Sequence, residues 1–116
     1  MQNKTKALLP SLKNKKRYIA FEIITDNKLL LKQPLNNTIN ELNQKLGLIE
    51  ASKAGIMPVK YDVNTQIGIL KNNNKYTDKI KTMMGMITEL GTQETIINPI
   101  KVSGTIKGLN SIQNKN

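Results

Sequence analysis

The sequence predicts an α+β domain, an antiparallel four-stranded sheet with its helices on one face, and three observations predict it. Runs of apolar alternation rich in β formers occur near both ends and twice in the middle. Two stretches with apolar residues three and four apart lie between them. The two kinds follow one another as strand, helix, strand, strand, helix, strand, within 116 residues that suffice for one modest core.

Residues 1–16 hold Lys4, Lys6, Lys13, Lys15 and Lys16 among Asn and Gln, with Pro10 and no acid, and read as a flexible basic arm. "RYIAFEIITD" (Arg17–Asp26) opens the domain, with Ile19, Phe21 and Ile23 on one face and Tyr18, Ala20 and Glu22 on the other. After a connection from Leu29 to Pro34, Ile39, Leu42, Leu46 and Ile49 trace a helix that closes in "GLIEASKAG", and Thr38 with Glu41 has capping-box spacing. "IMPVKYD" (Ile56–Asp62) and "TQIGILKN" (Thr65–Asn72) form a hairpin, in which Pro58 suits an edge strand.

Asn72 to Asn74 supply capping chemistry for a second helix, striped by Tyr76, Ile80, Met83, Met84, Ile87 and Leu90 and stopped by Gly91. Gly85 inside that helix costs about 1 kcal/mol relative to Ala, which points to a close contact there. Met83, Met84 and Met86 fit core filling first and an adaptable interface second. The last strand is "IKVSGTIKGL" (Ile100–Leu109): Ile100, Val102 and Ile106 face the helices and Lys101, Ser103, Thr105 and Lys107 face away. One domain over residues 17–109, with a flexible tail at 110–116, has the order βαββαβ of the ferredoxin-like fold, shared by RNA-recognition motifs.

Composition removes several function classes. The chain has no cysteine and no histidine, which excludes disulfides, thiolate or imidazole metal sites and most nucleophilic catalysis. Its eight acids are scattered over different elements, whereas a two-metal nuclease gathers carboxylates around ions about 4 Å apart. Glu22 alone is placed to be of interest, and a lysine partner is its simplest role. No catalytic and no metal-ligating residue is therefore expected. No run approaches the ~18 apolar residues of a spanning helix, and the N-terminus lacks the apolar core of a signal peptide, so a cytoplasmic protein with no membrane partner is expected.

The formal net charge of +10 favours an anionic partner, nucleic acid above all. Residues 1–21 carry six Lys or Arg and no acid, and residues 95–116 carry Lys101, Lys107 and Lys115 and no acid, so nine of the ten excess charges lie at the two ends. The first and last strands of a ferredoxin-like sheet are antiparallel neighbours, which brings both ends to one corner. There lysine heads and hydroxyls can meet phosphate oxygens, while Gly104 permits close backbone approach. The inner strand "QIGIL" (Gln66–Leu70) has no aromatic residue, so a base-stacking platform is not expected. Tyr18 and Tyr61 offer one ring each, and tyrosines near strand ends commonly pack half-buried.

"LLPSLKNKKRYIAFEIIT" (Leu8–Thr25), "VKYDVNTQIGIL" (Val59–Leu70) and "VSGTIKGL" (Val102–Leu109), in that order, resemble the ribonuclease P protein component 2 family. The resemblance implies a non-catalytic subunit of a ribonucleoprotein whose RNA, with bound Mg²⁺, removes the 5′ leader of precursor tRNA. It implies an RNA-recognition-motif-like sandwich working with a barrel-shaped protein subunit, two copies of each, on the catalytic RNA. Carried over by position, Lys15, Lys16 and Arg17 and the terminal Ser103, Gly104, Thr105 and Lys107 are the implied RNA contacts, with Lys13, Lys60 and Lys101 as weaker ones. The sequence departs from the family in its short end, "NSIQNKN", and in having Arg17 as its sole arginine, so lysine point contacts replace bidentate forks. From the residues alone, another structured-RNA-binding subunit of the same fold and a ferredoxin-like module that oligomerises through its sheet stay open as alternatives.

Overall fold

Strong β formers from Lys16 to Ile24 build the central strand of a sheet closed by partners from both halves of the chain. A computed structural model describes residues 15–27 and 29–109. Its elements are β1 (Lys16–Ile24), α1 (Pro34–Leu46), α2 (Leu48–Ala54), β2 (Met57–Asp62), β3 (Ile67–Asn73), a 3₁₀ turn (Asn74–Tyr76), α3 (Thr77–Met84), β4 (Glu89–Leu90), β5 (Gln93–Glu94) and β6 (Ile96–Ser103). The main sheet is antiparallel in the order β2-β3-β1-β6, and β4 and β5 make a separate two-stranded hairpin. This is the expected α+β, ferredoxin-like arrangement. The arm and tail read from the sequence lie outside the described residues apart from Lys15 and Lys16, and Lys16 already belongs to β1.

The core lies on one face of the sheet. Ile19, Phe21 and Ile23 of β1 meet Leu35, Ile39, Leu42 and Leu46 of α1 and Ile80, Met83 and Met84 of α3, all buried. Phe21 and Tyr61 close over β3 at Gly68, where a Cβ would lie 2.9 Å from Phe21 Cζ and 3.3 Å from Tyr61 Cδ1. Any larger residue at position 68 would push the rings apart.

Several sequence expectations are corrected. Thr38 does not cap α1: Pro34 occupies the first turn, where its missing N–H costs nothing, and Thr38 lies buried inside the helix with its hydroxyl donating to Pro34 O at 2.9 Å. The helix breaks at Gly47 (φ +84), so Leu48 and Ile49 fall on α2 and are exposed rather than continuing the stripe. The second helix stops at Met84, with Gly85 as its C-cap; Ile87 and Leu90 still reach the core, from the following loop and from β4. Gly91 (φ +62) therefore serves the β4–β5 turn instead of ending a helix. Met83 and Met84 are buried, while Met86 is exposed.

The last strand is shifted toward the N-terminus. It runs from Ile96 to Ser103, and its pairing with β1 slips between Ala20 and Phe21, so that Ile97 and Val102 face the core while Ile100 is left exposed at the irregularity. Thr105 and Ile106 lie beyond the strand, in a bend leading to a helical turn at residues 107–109 that begins with Lys107.

Two tyrosines record their surroundings in their acidity. Burial, then the neighbouring Asp62 charge, raises Tyr61 above the ordinary value near 10. The Tyr76 hydroxyl donates to Glu50 Oε1 at 2.8 Å, and that bond, before any burial, raises it too. Raised folded values favour the neutral phenol, so this stabilisation is complete below the unfolded value and is lost as pH rises through the folded ones. Ultraviolet difference titration of the folded protein is expected to show a component ionising above pH ~10 that shrinks in Tyr61→Phe and again in Tyr76→Phe.

Candidate nucleic-acid interface

Opposite the helices, strand alternation sends a second set of side chains to the other face, and the register arranges them in three rows. The first is Met57, Lys71, Tyr18 and Ser103; the second is Lys60, Ile69, Ala20 and Lys101; the third is Asp62, Ile67, Glu22 and Asn98. With strands about 4.8 Å apart, Lys60 and Lys101 stand roughly 14 Å from each other at the two edges of one row. Charge therefore changes sign along the sheet: lysines occupy the rows near the start of β1, and carboxylates the row at its far end. Phosphates would be drawn to the first two rows and repelled by the third.

The corner expected from the sequence forms in part. Tyr18 pairs with Ser103, and a Cβ on Gly104 would lie 3.7 Å from an Arg17 guanidinium nitrogen, so the sole arginine stands over the turn that leaves β6. That nitrogen also donates to Lys16 O at 3.0 Å. Ser103 Oγ accepts from Thr105 N at 3.2 Å, and Thr105 Oγ1 accepts from Gly108 N at 3.2 Å. Each hydroxyl spends a lone pair inside the turn and keeps its O–H to donate.

Lys16 leaves this group: its ammonium lies 3.7 Å from the position of a Cβ on Gly55, at the end of α2, so the neighbouring cations of β1 fork in opposite directions. Lys15 is exposed, and its carbonyl accepts from Asn74 N at 2.9 Å. Lys60, Lys101 and Lys107 are exposed, and Lys13 falls outside the described residues.

Among the described residues the one ion pair is Lys53 with Glu50, 3.9 Å apart, so no carboxylate neutralises Arg17, Lys71, Lys101 or Lys107. Glu22 has Ile67 and Asn98 as its cross-strand neighbours and no lysine partner among the described residues. Lys71 was not singled out in the sequence, although the alternation Ile67, Ile69, Lys71 carries it to the face that holds Tyr18.

The second face is not fully open. Ala20, Ile69 and Leu109 form a small buried cluster there, joined by Tyr18 and Val59. Tyr61 lies on the core side and has no access to this face. Of the two tyrosines, Tyr18 alone is near the basic rows, half-buried against that cluster. Among the described residues no group of three or more carboxylates is gathered for a metal ion, and no helix is long and apolar enough to cross a membrane.

The sequence profile of the Rpp14/Pop5 family matches residues 17–112, which spans the sheet except for Lys16 at its first position and includes both flanks of the corner. The chain belongs to the Rpp14/Pop5 family. Similar relatives are named ribonuclease P protein component 2. The Pyrococcus horikoshii protein is 34% identical over 114 residues, covering 94% of this chain and 91% of the relative. That of Pyrococcus abyssi is 36% identical over 107 residues, 91% and 90% of the two chains. That of Methanocaldococcus jannaschii is 34% identical over 102 residues, 88% and 75%. In solved structures the fold recurs in a chain of yeast ribonuclease MRP, with a TM-score of 0.59 and 9% identity over 88% of this chain and 91% of that one. In this Rpp14/Pop5 chain the family match includes Arg17 and the Ser103–Lys107 turn, the two parts that the sheet brings together.

Proposed function

We propose that this chain is a protein subunit of ribonuclease P, the RNA-based endoribonuclease that removes the 5′ leader from precursor tRNA. The observation that carries the reading is the likeness over 94% of the chain to a relative named ribonuclease P protein component 2. Arg17, Lys71, Lys101, Lys107 and the hydroxyls of Ser103 and Thr105 supply the means, cations and donors that meet RNA phosphates and offset their mutual repulsion in the folded RNA. Lys16, Lys15 and Lys60 extend that surface around the edge of the sheet, and Gly104 gives the backbone access. Chemistry at the scissile bond belongs in this reading to the RNA and its Mg²⁺. The role of this chain is to let the RNA hold its active shape at lower Mg²⁺.

The protein partner is a barrel-shaped ribonuclease P subunit, two copies of each in the particle, acting in the cytoplasm. A footprint of about four phosphates gives a log-log dependence of affinity on salt with a slope near −3 to −4. Filter binding of the chain to its ribonuclease P RNA across a salt series, beside a random transcript of equal length, measures this. The expected result is that slope together with tighter binding to the ribonuclease P RNA; equal binding to both transcripts would refute the reading.

A further inference from the structure

Leu109 is fully buried, yet it lies six residues past the end of β6 and on the sheet face that the helices leave uncovered. It is held by Ala20 and Ile69, at the centre of the second row, between the lysines of both edges. Three hydrogen bonds tie the chain down between Ser103 and Leu109. Ser103 Oγ takes Thr105 N, Thr105 Oγ1 takes Gly108 N, and Leu109 N donates to Ile106 O at 2.9 Å. A Cβ on Gly108 would overlap Ser103 Oγ, so the helical turn packs directly on the end of the strand. Thr105 and Lys107 thus lie on a loop pinned at both ends, one end by the strand and the other by an apolar anchor.

Resting on the function proposed above, we infer that Leu109 and Gly108 are positioning residues for RNA binding: they carry no charge, but they hold in place the loop that bears Thr105 and Lys107 and that begins at Gly104, over which Arg17 stands. A loop free to move would have to be ordered when RNA binds, and anchoring it beforehand removes that entropic cost. The anchor also roofs the apolar centre of the face, which directs RNA to the lysine rim rather than to a stacking platform.

A double-mutant cycle tests this, with affinity for ribonuclease P RNA measured across a salt series for the wild type, Leu109→Ala, Lys107→Ala and the pair. Leu109→Ala is expected to weaken binding about tenfold at 0.1 M salt and to flatten the slope by about one, as Lys107→Ala does. The pair is expected to lose little more than either alone, since both remove the same contact. Circular dichroism at each salt concentration gives the folded fraction of every variant, and a change of slope that remains after correction for it separates positioning from destabilisation. Leu109→Met is expected to restore the slope, and Gly108→Ala to reproduce the loss without touching the anchor. Additive losses, or an unchanged slope in both Leu109→Ala and Gly108→Ala while the wild type binds normally, would overturn this inference alone. A wild type that prefers ribonuclease P RNA no more than a random transcript would overturn the proposed function and this inference with it.

Discussion

Replacing Arg17, Lys101 and Lys107 together by alanine will flatten the salt dependence of ribonuclease P RNA binding by about two to three units. Each unit of slope is worth tenfold in affinity between 1 M and 0.1 M salt, so the loss at 0.1 M is about 100-fold or more. The size of the effect follows from the absence of competition. No carboxylate among the described residues pairs with any of the three, so their charge is available to phosphates. Arg17 stands over Gly104 and Lys101 closes the second row. Circular dichroism is expected to show an unchanged fold, because all three side chains lie outside the core. Filter binding across a salt series makes the measurement, and a triple variant with the wild-type slope would remove this edge of the sheet from the RNA surface.

Phe21→Ala will be the most damaging single substitution for stability. Phe21 is fully buried in the middle of the central strand, and its ring fills the space that Gly68 leaves open. Truncating a buried phenylalanine costs about 3–5 kcal/mol in transfer and cavity terms. For a domain of this size 1 kcal/mol moves the melting temperature by about 4–8 °C, so a fall of roughly 12–40 °C is expected. Thermal melts followed by circular dichroism measure it, and a fall of only a few degrees would mean that the core closes up around the missing ring.

The elements whose periodicity was undisturbed could be read directly. In β1, Ile19, Phe21 and Ile23 alternate strictly and are buried as the alternation requires. In α1, Ile39, Leu42 and Leu46 recur at helical spacing on the buried side, whereas Ile49, read as the next turn of that stripe, falls on α2 and is exposed. Boundaries failed where one residue type serves two purposes. Thr38 next to a helical stripe has the chemistry of a cap, but a threonine inside a helix satisfies the same hydroxyl on the carbonyl four residues back. The last strand, read as starting at Ile100, begins at Ile96, and Pro99 is tolerated inside it because β6 is an edge of the sheet. The irregularity beside it broke the alternation, so Ile100 and Ile106 looked like core residues while Ile97 is one.

At the candidate site, the meeting of the start of β1 with the end of β6 was legible from topology and charge. The fork between Lys16 and Arg17 was not, because it depends on where α2 ends relative to β1. Nor was the return of Leu109 onto the second face, since one leucine after a basic turn has no periodicity to place it.

Reconstituted cleavage tests the central claim most directly. Precursor tRNA is incubated with the cognate ribonuclease P RNA and the other protein subunits at limiting Mg²⁺, with and without this chain. 5′-Leader removal is expected to appear or accelerate when the chain is added, and the triple variant to fail to support it. Equal cleavage with and without the chain would mean that it is no working subunit of ribonuclease P.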